Sequence, residues 1–342
     1  MALSALIVVE TASQAGFFSA QKASAEALAT PTSPAQVTQA VEENYVLYFP
    51  IPIPNIGSEE IAPLALKAAP SSTPAPTASS APSSTPTAQP TATLGPDDWK
   101  NLPVIPSVSQ RAIQIYQKGQ ALGNDPKAFS KVGDCNSLST RFLTYFDGDP
   151  GTYYNLESYS ALQPVIDQFG GSFKRASQAV GDGYNTSAIL SPFRADPHTC
   201  NGGESPLACE LRLHKPSFLF IAIGTDDYLS PDKFETNLKQ VLDTAINLGV
   251  VPILATKADN VNQLNYNPII AKVALEYDIP LWNLWRAMNP LPDGGLYDNE
   301  HPSGTFVAFD FTSKNLSTYG WPMRNLTALE ALNAVWRGVT GQ

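Results

Sequence analysis

Cys135 follows a short apolar stretch within residues 128–139, AFSKVGDCNSLS. Small, turn-forming residues directly after a strand let the backbone bend and present one side chain at the carboxyl edge of a sheet. A thiol in that position can act as a nucleophile. The alternative is that Cys135 is a small buried apolar residue. Ser137 and Ser139 are rival nucleophiles, although they lie inside the expected helix start rather than at the bend.

Acyl transfer by a thiol also needs a base, an orienting carboxylate and donors aimed at the developing oxyanion. His301 is the natural base, because the other two of the three histidines flank a cysteine-bearing loop. Asp298 precedes His301 by three residues in YDNEHPS. On a loop or a single turn, that spacing lets the carboxylate bond the far ring nitrogen and fix the tautomer. The alternative is that both are surface polar residues.

The spacing of apolar residues predicts helices and strands in alternation. Helices are predicted over 109–122, 155–169, 186–190, 231–248 (with Ser230 as N-cap), 262–277 and 325–339. Strands are predicted over 129–132, 172–180, 216–224, 250–256 and 279–283. The third strand, PSFLFIAIG, is a continuous apolar run of the kind found in central parallel strands.

Strands alternating with helices imply βαβ units, and hence an α/β fold with a parallel sheet between helices. Loops that follow parallel strands open at one edge of the sheet. Cys135, Gly181, Asp226 and His301 each follow a predicted strand or a loop leaving the sheet. One surface is therefore expected to collect all four.

With these residues in hand, the chain resembles the SGNH (GDSL-type) hydrolases, a family of flavodoxin-like esterases and lipases with four sequence blocks. The blocks are Gly-Asp-Ser, a single glycine, Gly-x-Asn-Asp and Asp-x-x-His. Their counterparts, in family order, are Gly133, Asp134 and Cys135; Gly181, or alternatively Gly183; Gly224, Asp226 and Asp227; and Asp298 and His301. The resemblance spans roughly residues 128–303 and implies a three-layer α/β/α sandwich with a mainly parallel sheet.

The resemblance also implies a role for each residue. Cys135 would attack an acyl or acetyl ester, His301 would move the proton, and Asp298 would orient the imidazole. The oxyanion hole would consist of Cys135, Gly181 and Asp226. The supporting residues would be Gly133, Asp134, Gly224 and Asp227. No cofactor and no metal are expected.

Two positions depart from the family pattern, because cysteine replaces the nucleophilic serine at 135 and aspartate replaces the oxyanion-hole asparagine at 226. A thiolate beside an imidazole is a competent nucleophile. An ionised carboxylate aimed at an oxyanion repels it, so Asp226 must be protonated, point away, or be replaced by backbone donors. We expect a slow enzyme that is faster in mild acid.

Composition divides the 342 residues into three parts. Residues 1–28 contain an apolar run with no basic residue before it, which is either a signal-like segment or a disordered tail. Residues 29–98 form a linker rich in Pro, Ser, Thr and Ala. Residues 99–342 carry the globular patterning and are expected to form the hydrolase-like domain.

The remaining cysteines, Cys200 and Cys209, lie in a polar loop that a disulfide would close. Such a bridge favours a secreted or cell-surface protein, whereas two unlinked thiols would suit a cytosolic one. The net charge of −10 without a basic cluster makes nucleic acid an unlikely partner. A monomer acting on a small-molecule or polysaccharide ester is expected, with no membrane span in the globular domain.

Two other functions remain open. A catalytically degenerate member could bind carbohydrate through a cleft of aromatic residues, for which the candidates are Tyr145, Tyr153, Tyr154, Tyr228, Trp282, Trp285 and Trp321. Alternatively, oxygen ligands could hold a hard cation, for which the candidates are Asp134, Asp226, Asp227, Asp298 and His301. Capping and solvated carboxylates explain those acids more simply.

Overall fold

The structure is a computed structural model that describes residues 95–138, 140–258 and 265–342. The expected N-terminal segment (1–28), all but the last residues of the expected linker (29–98) and Ser139 lie outside the described residues. The predicted helix start at residue 262 lies outside them as well.

Four parallel strands form one sheet in the order β1-β2-β3-β4. They are β1 Asp125–Gly133, β2 Pro216–Ala222, β3 Val251–Ala255 and β4 Leu281–Trp282. Every residue of β2 and β3 is buried, as their apolar runs predict. Gly133 pairs with Ala222, so the segments that follow β1 and β2 leave the sheet side by side.

Helices contact this sheet in two groups. The helices are α1 Gln110–Ala121, α2 Cys135–Leu138, α3 Gln163–Gln168, α4 Thr186–Leu190, α5 Pro206–His214, α6 Phe234–Asn247, α7 Asn267–Glu276, α8 Leu284–Met288, α9 Ser313–Leu316 and α10 Gly320–Thr340. α1 and α10 pack on each other and on the sheet, while α5 contacts β1, α6 and α7 contact β3, and α4 contacts α5 and α6. The α/β class is confirmed, and this arrangement is consistent with three layers.

The sequence predicts both helices of the first group, α1 close to its observed bounds and α10 with a later start. The hydroxyl of Ser109 caps α1 by accepting the backbone N–H of Ala112 at 3.1 Å. α10 begins at Gly320, earlier than the predicted start at 325, with Pro322 in its first turn, where its missing N–H has no cost. Its apolar stripe is buried against the sheet, as its periodicity predicts.

The strand predicted over 172–180 is wrong, since only an isolated bridge joins Val180 to Gly133. The segment runs along the free edge of β1 but satisfies that edge largely with side chains. Ser172 accepts the N–H of Phe129, and Arg175 donates to the carbonyl of the same residue. The hydroxyl of Ser177 donates to the carbonyl of Lys131. Polar side chains here replace the backbone ladder that the apolar residues had suggested.

The helix predicted over 155–169 is also wrong in its continuity. The structure has a 3-10 helix, Glu157–Leu162, with a non-helical Tyr159, followed by α3. Pro164, which has no N–H to donate, lies in the first turn of α3 and accounts for the new start. Ser230 makes no side-chain cap, because a 3-10 turn, Pro231–Lys233, separates it from α6.

Cys200 and Cys209 form the predicted disulfide, with a Cα–Cα separation of 5.3 Å. Because Cys209 lies in α5, the bridge ties the preceding polar loop to that helix. Among the described residues, none of the helices combines the length and the apolar character that crossing a bilayer requires.

Candidate active site

The chain turns sharply where β1 ends. A Cβ at Gly133 would collide with the side chain of Ser137 and the carbonyl of Ala222, so only glycine fits. The carbonyl of Asp134 then accepts the N–H groups of Ser137 and Leu138 at 2.9 and 3.0 Å, which starts α2. Cys135 is therefore presented at the carboxyl edge of the sheet as predicted, and it is half-buried. Ser137 is buried, and its hydroxyl faces the carbonyl of Ala222 at 3.5 Å.

A tight turn organised by Asp298 presents His301. One carboxylate oxygen, Oδ1, accepts the backbone N–H groups of Glu300 and His301 at 2.8 and 2.6 Å. The other, Oδ2, lies 3.0 Å from Nδ1 of His301. The predicted spacing thus gives an Asp–His pair, in which a proton on Nδ1 leaves Nε2 as an acceptor. Both side chains are partly open to solvent, at 44% and 45% exposure.

The thiol and the imidazole, far apart in sequence, meet at this edge. The Sγ of Cys135, a carboxylate oxygen of Glu300 and a ring nitrogen of His301 all lie within 4.8 Å of one another. The thiol donates to Oε1 of Glu300 at 3.1 Å, and the same oxygen is 3.9 Å from Nε2 of His301. Asn136 fixes the turn by donating from Nδ2 to the carbonyl of Glu300 at 3.1 Å. Glu300 therefore stands between thiol and imidazole.

The surroundings of Cys135 favour the neutral thiol. Burial is the largest cause and raises its pKa well above the ordinary range. The negative charge of Asp134, the hydrogen bond to Glu300 and the charges of Glu300 and Asp226 act in the same direction. Burial and the neighbouring carboxylates therefore oppose the thiolate form that a nucleophile needs.

The pKa of His301 is raised, although burial acts to lower it. Burial alone would lower its pKa, but the hydrogen bond to Asp298 and the charges of Glu300, Asp298 and Asp134 outweigh burial and raise it. Burial would likewise raise the pKa of Asp298, yet the backbone N–H groups of His301 and Glu300, together with the imidazole itself, lower it. Asp298 is therefore an ionised partner for the imidazole at neutral pH.

Asp134, the residue before Cys135, contacts a buried lysine, Lys257. The hydroxyl of Thr225 donates to Oδ2 of Asp134 at 2.8 Å, and Nζ of Lys257 is 3.8 Å from the same oxygen. Lys257 also donates to the hydroxyl of Thr225. Lys257 follows β3 closely, so three neighbouring strands each contribute to this polar group at their carboxyl ends. The arrangement holds the bend rigidly by charge and hydrogen bonding.

The loop after β2 places Asp226 near the thiol. Gly224 has φ +132°, and a Cβ there would meet the side chain of Lys257 at 2.9 Å, which requires glycine. Asp226 is partly buried. Burial, followed by the charges of Asp134 and Glu300, raises its pKa against the opposing effect of Lys257. This direction is the one that a protonated Asp226 requires.

Two other residues of the family blocks, Gly181 and Asp227, form hydrogen bonds within the fold. The N–H of Gly181 donates to the carbonyl of Gly133 at 3.3 Å, so it reaches an oxyanion only by giving up that bond. Gly183, the alternative, has open space around its Cα. Asp227 is buried and accepts both the N–H and the hydroxyl of Thr186, at 3.1 and 2.5 Å, which anchors α4.

An open cleft is lined by residues other than Cys135, Glu300 and His301. Its volume is about 530 Å³, and its walls include Thr140, Arg141 and residues 305–310. Tyr145 and Tyr153 line it with 44% and 51% of their surface exposed. Of the other aromatic candidates, Tyr154, Trp282 and Trp321 are buried, Trp285 is half-buried, and Tyr228 is exposed.

Three residues of this site were not predicted from the sequence, namely Glu300, Asn136 and Lys257. Glu300 and Asn136 each adjoin a predicted site residue, and Lys257 follows a predicted strand, but their partners are far away in sequence. Position directly after a strand could have indicated Lys257. In the comparisons with known proteins, no protein-family model and no curated protein matches the chain.

Proposed function

We propose that the globular part is an SGNH-type hydrolase of acyl or acetyl esters that uses Cys135 as nucleophile, His301 as base and Asp298 as orienting carboxylate. The observation that carries the proposal is the convergence of Sγ and an imidazole nitrogen within 4.8 Å at the carboxyl edge of the sheet. The Asp298–Nδ1 contact at 3.0 Å supports the same roles. The edge position of the segment 172–181 beside β1 supports a flavodoxin-like variant of the fold.

The chemistry proceeds from the neutral thiol. Glu300 rotates away, Sγ attacks the carbonyl carbon, and the thiol proton passes to Nε2 of His301 as the C–S bond forms. His301 then gives this proton to the leaving alkoxide, which departs as an alcohol and leaves an acyl thioester on Cys135. A water molecule, deprotonated by His301, hydrolyses the thioester to a carboxylic acid and restores the thiol.

The oxyanion hole is the weak part of the site. The backbone N–H of Cys135 is the first donor, and the N–H of Gly181 can join by releasing Gly133. Asp226 can donate only when protonated, and its raised pKa favours that form. A modest turnover number is therefore expected.

Turnover of p-nitrophenyl acetate tests the proposal. We expect the wild type to turn over and Asp298→Asn to lower kcat by roughly 10-fold. That loss is smaller than the ~10²–10⁴-fold that a positioned base supplies, because solvent screens the partly exposed Asp298. Asp293→Asn, an exposed acid in the same region, serves as the matched control and should leave kcat unchanged. A wild type that is inert in the presence of a chelator at every pH from about 5 to 9 would remove the hydrolase proposal.

A second function, carbohydrate binding without catalysis, is favoured by the aromatic walls of the 530 Å³ cleft. Exposed tyrosines such as Tyr145 and Tyr153 suit the apolar faces of sugar rings. Glycan binding that survives Cys135→Ala, without any turnover, would select this function over the esterase.

A further inference from the structure

We propose that Cys135, Glu300 and His301 form a three-ligand site for a divalent cation of the zinc type. Their candidate ligand atoms all lie within 4.8 Å of one another, with Sγ to Oε1 at 3.1 Å and Oε1 to Nε2 at 3.9 Å. Tetrahedral zinc, bound at about 2.0–2.3 Å, holds neighbouring ligand atoms roughly 3.3–3.5 Å apart. Small side-chain rotations would therefore seat an ion among the three atoms.

The ligand types select the class of ion. Thiolate, imidazole and carboxylate are the three protein ligands of zinc, and three of them leave a fourth position for water or substrate. A thiolate ligand disfavours magnesium and calcium, which prefer sets made only of oxygen. The set differs from the hard-cation candidates in the sequence, which were four aspartates and His301, because it contains Cys135 and Glu300 and omits the aspartates.

The surrounding contacts already orient two of the ligands. Asp298 accepts from Nδ1 of His301 at 3.0 Å, which directs Nε2 toward the ion in the manner of carboxylate–histidine–zinc groups. Asn136 donates to the backbone carbonyl of Glu300 at 3.1 Å and holds that residue's turn against α2. Asp298 and Asn136 are thus positioning residues for the site.

The charge around the three ligand atoms suits a cation. Glu300 supplies one carboxylate, and Asp298 lies 3.0 Å from Nδ1 of the His301 ligand. A thiol that coordinates a dication loses its proton to solvent as the metal–sulfur bond forms.

The consequence for catalysis rests on the proposed function. A thiolate and an imidazole that coordinate the ion are unavailable as nucleophile and base. The bound ion would therefore inhibit ester hydrolysis, and a chelator would restore the activity. Metal binding itself does not depend on catalysis and can be measured without substrate.

Cobalt(II) titration of the full chain, with its disulfide intact, tests the site. We expect one equivalent to bind with a thiolate-to-cobalt charge-transfer band and the visible bands of four-coordinate cobalt, both removed by added zinc. Cys135→Ala should abolish the charge-transfer band. Glu300→Gln should weaken binding by at least the ~10–100-fold that loss of a second-shell partner costs.

His198→Ala is the matched control, because His198 is exposed and lies outside the site, and it should keep the spectrum. The oxidised pair Cys200–Cys209 offers no thiolate that could imitate the signal. Far-ultraviolet circular dichroism checks that each variant is folded. The proposal is overturned if the band is absent from the wild type, persists in Cys135→Ala, or if Glu300→Gln binds cobalt as tightly as the wild type. If the metal-free wild type shows no ester turnover but the cobalt spectrum appears as expected, the hydrolase proposal alone is contradicted.

Discussion

Cys135→Ala is expected to lower the turnover of p-nitrophenyl acetate by about 10³-fold or more, in the presence of a chelator. The substitution removes the only free thiol among the described residues, whose Sγ lies within 4.8 Å of a ring nitrogen of His301. What remains is an imidazole and a small number of oxyanion donors, which give only residual catalysis. The thiol is half-buried, so alanine leaves a small cavity and the fold should persist.

Ser137→Ala is the matched variant for this comparison, since it removes one oxygen atom from the same short helix. Ser137 is buried and faces the carbonyl of Ala222, so it has no path to a substrate. Turnover should be preserved in this variant. Turnover that is lost in Ser137→Ala and retained in Cys135→Ala would move the nucleophile to the serine.

Asp226→Asn is expected to raise kcat by about 100-fold, because it restores an amide donor of the kind whose loss costs about 10²–10³-fold. The substitution also removes one of the charges that raise the pKa of the Cys135 thiol. Asp232→Asn, an exposed acid near the same loop, is the control and should have no such effect.

The pH dependence of the rate distinguishes the two effects of Asp226→Asn, the restored amide donor and the removed negative charge. In the wild type, the rate requires a protonated Asp226 and a neutral His301, and both pKa values lie above their ordinary ones. The product of the two fractions peaks between the two pKa values and falls on either side. Asp226→Asn should abolish the alkaline fall and leave a rate that rises through the pKa of His301. An Asp226→Asn variant no faster than the wild type at any pH would show that Asp226 points away from the oxyanion.

Much of the fold could be predicted from the sequence because burial patterns are local. The continuous apolar run of β2 and the capped, periodic α1 need no distant information. The segment 172–180 is different, since Ser172, Arg175 and Ser177 serve the edge of β1 through their side chains. Periodicity cannot distinguish that use of polar residues from an ordinary strand.

The candidate site also has short-range features that the sequence predicts and long-range contacts that it does not. The bend at Gly133 and the Asp298–His301 turn are short-range features, and the sequence indicates both. Glu300 bonds a thiol that is 165 positions away in sequence. Its effect on the pKa of Cys135 depends on that spatial contact and on burial. Neither the contact between Glu300 and Cys135 nor the burial of Cys135 can be predicted from a local sequence pattern.

Peptide mass spectrometry of the acid-quenched reaction tests the central claim most directly. The metal-free wild type, mixed with p-nitrophenyl acetate and quenched within the first turnover, should carry an acetyl group on Cys135, and Cys135→Ala should carry none. Product release with no acetyl on Cys135, or with acetyl on Ser137 or His301 alone, would contradict a thiol nucleophile at the end of β1.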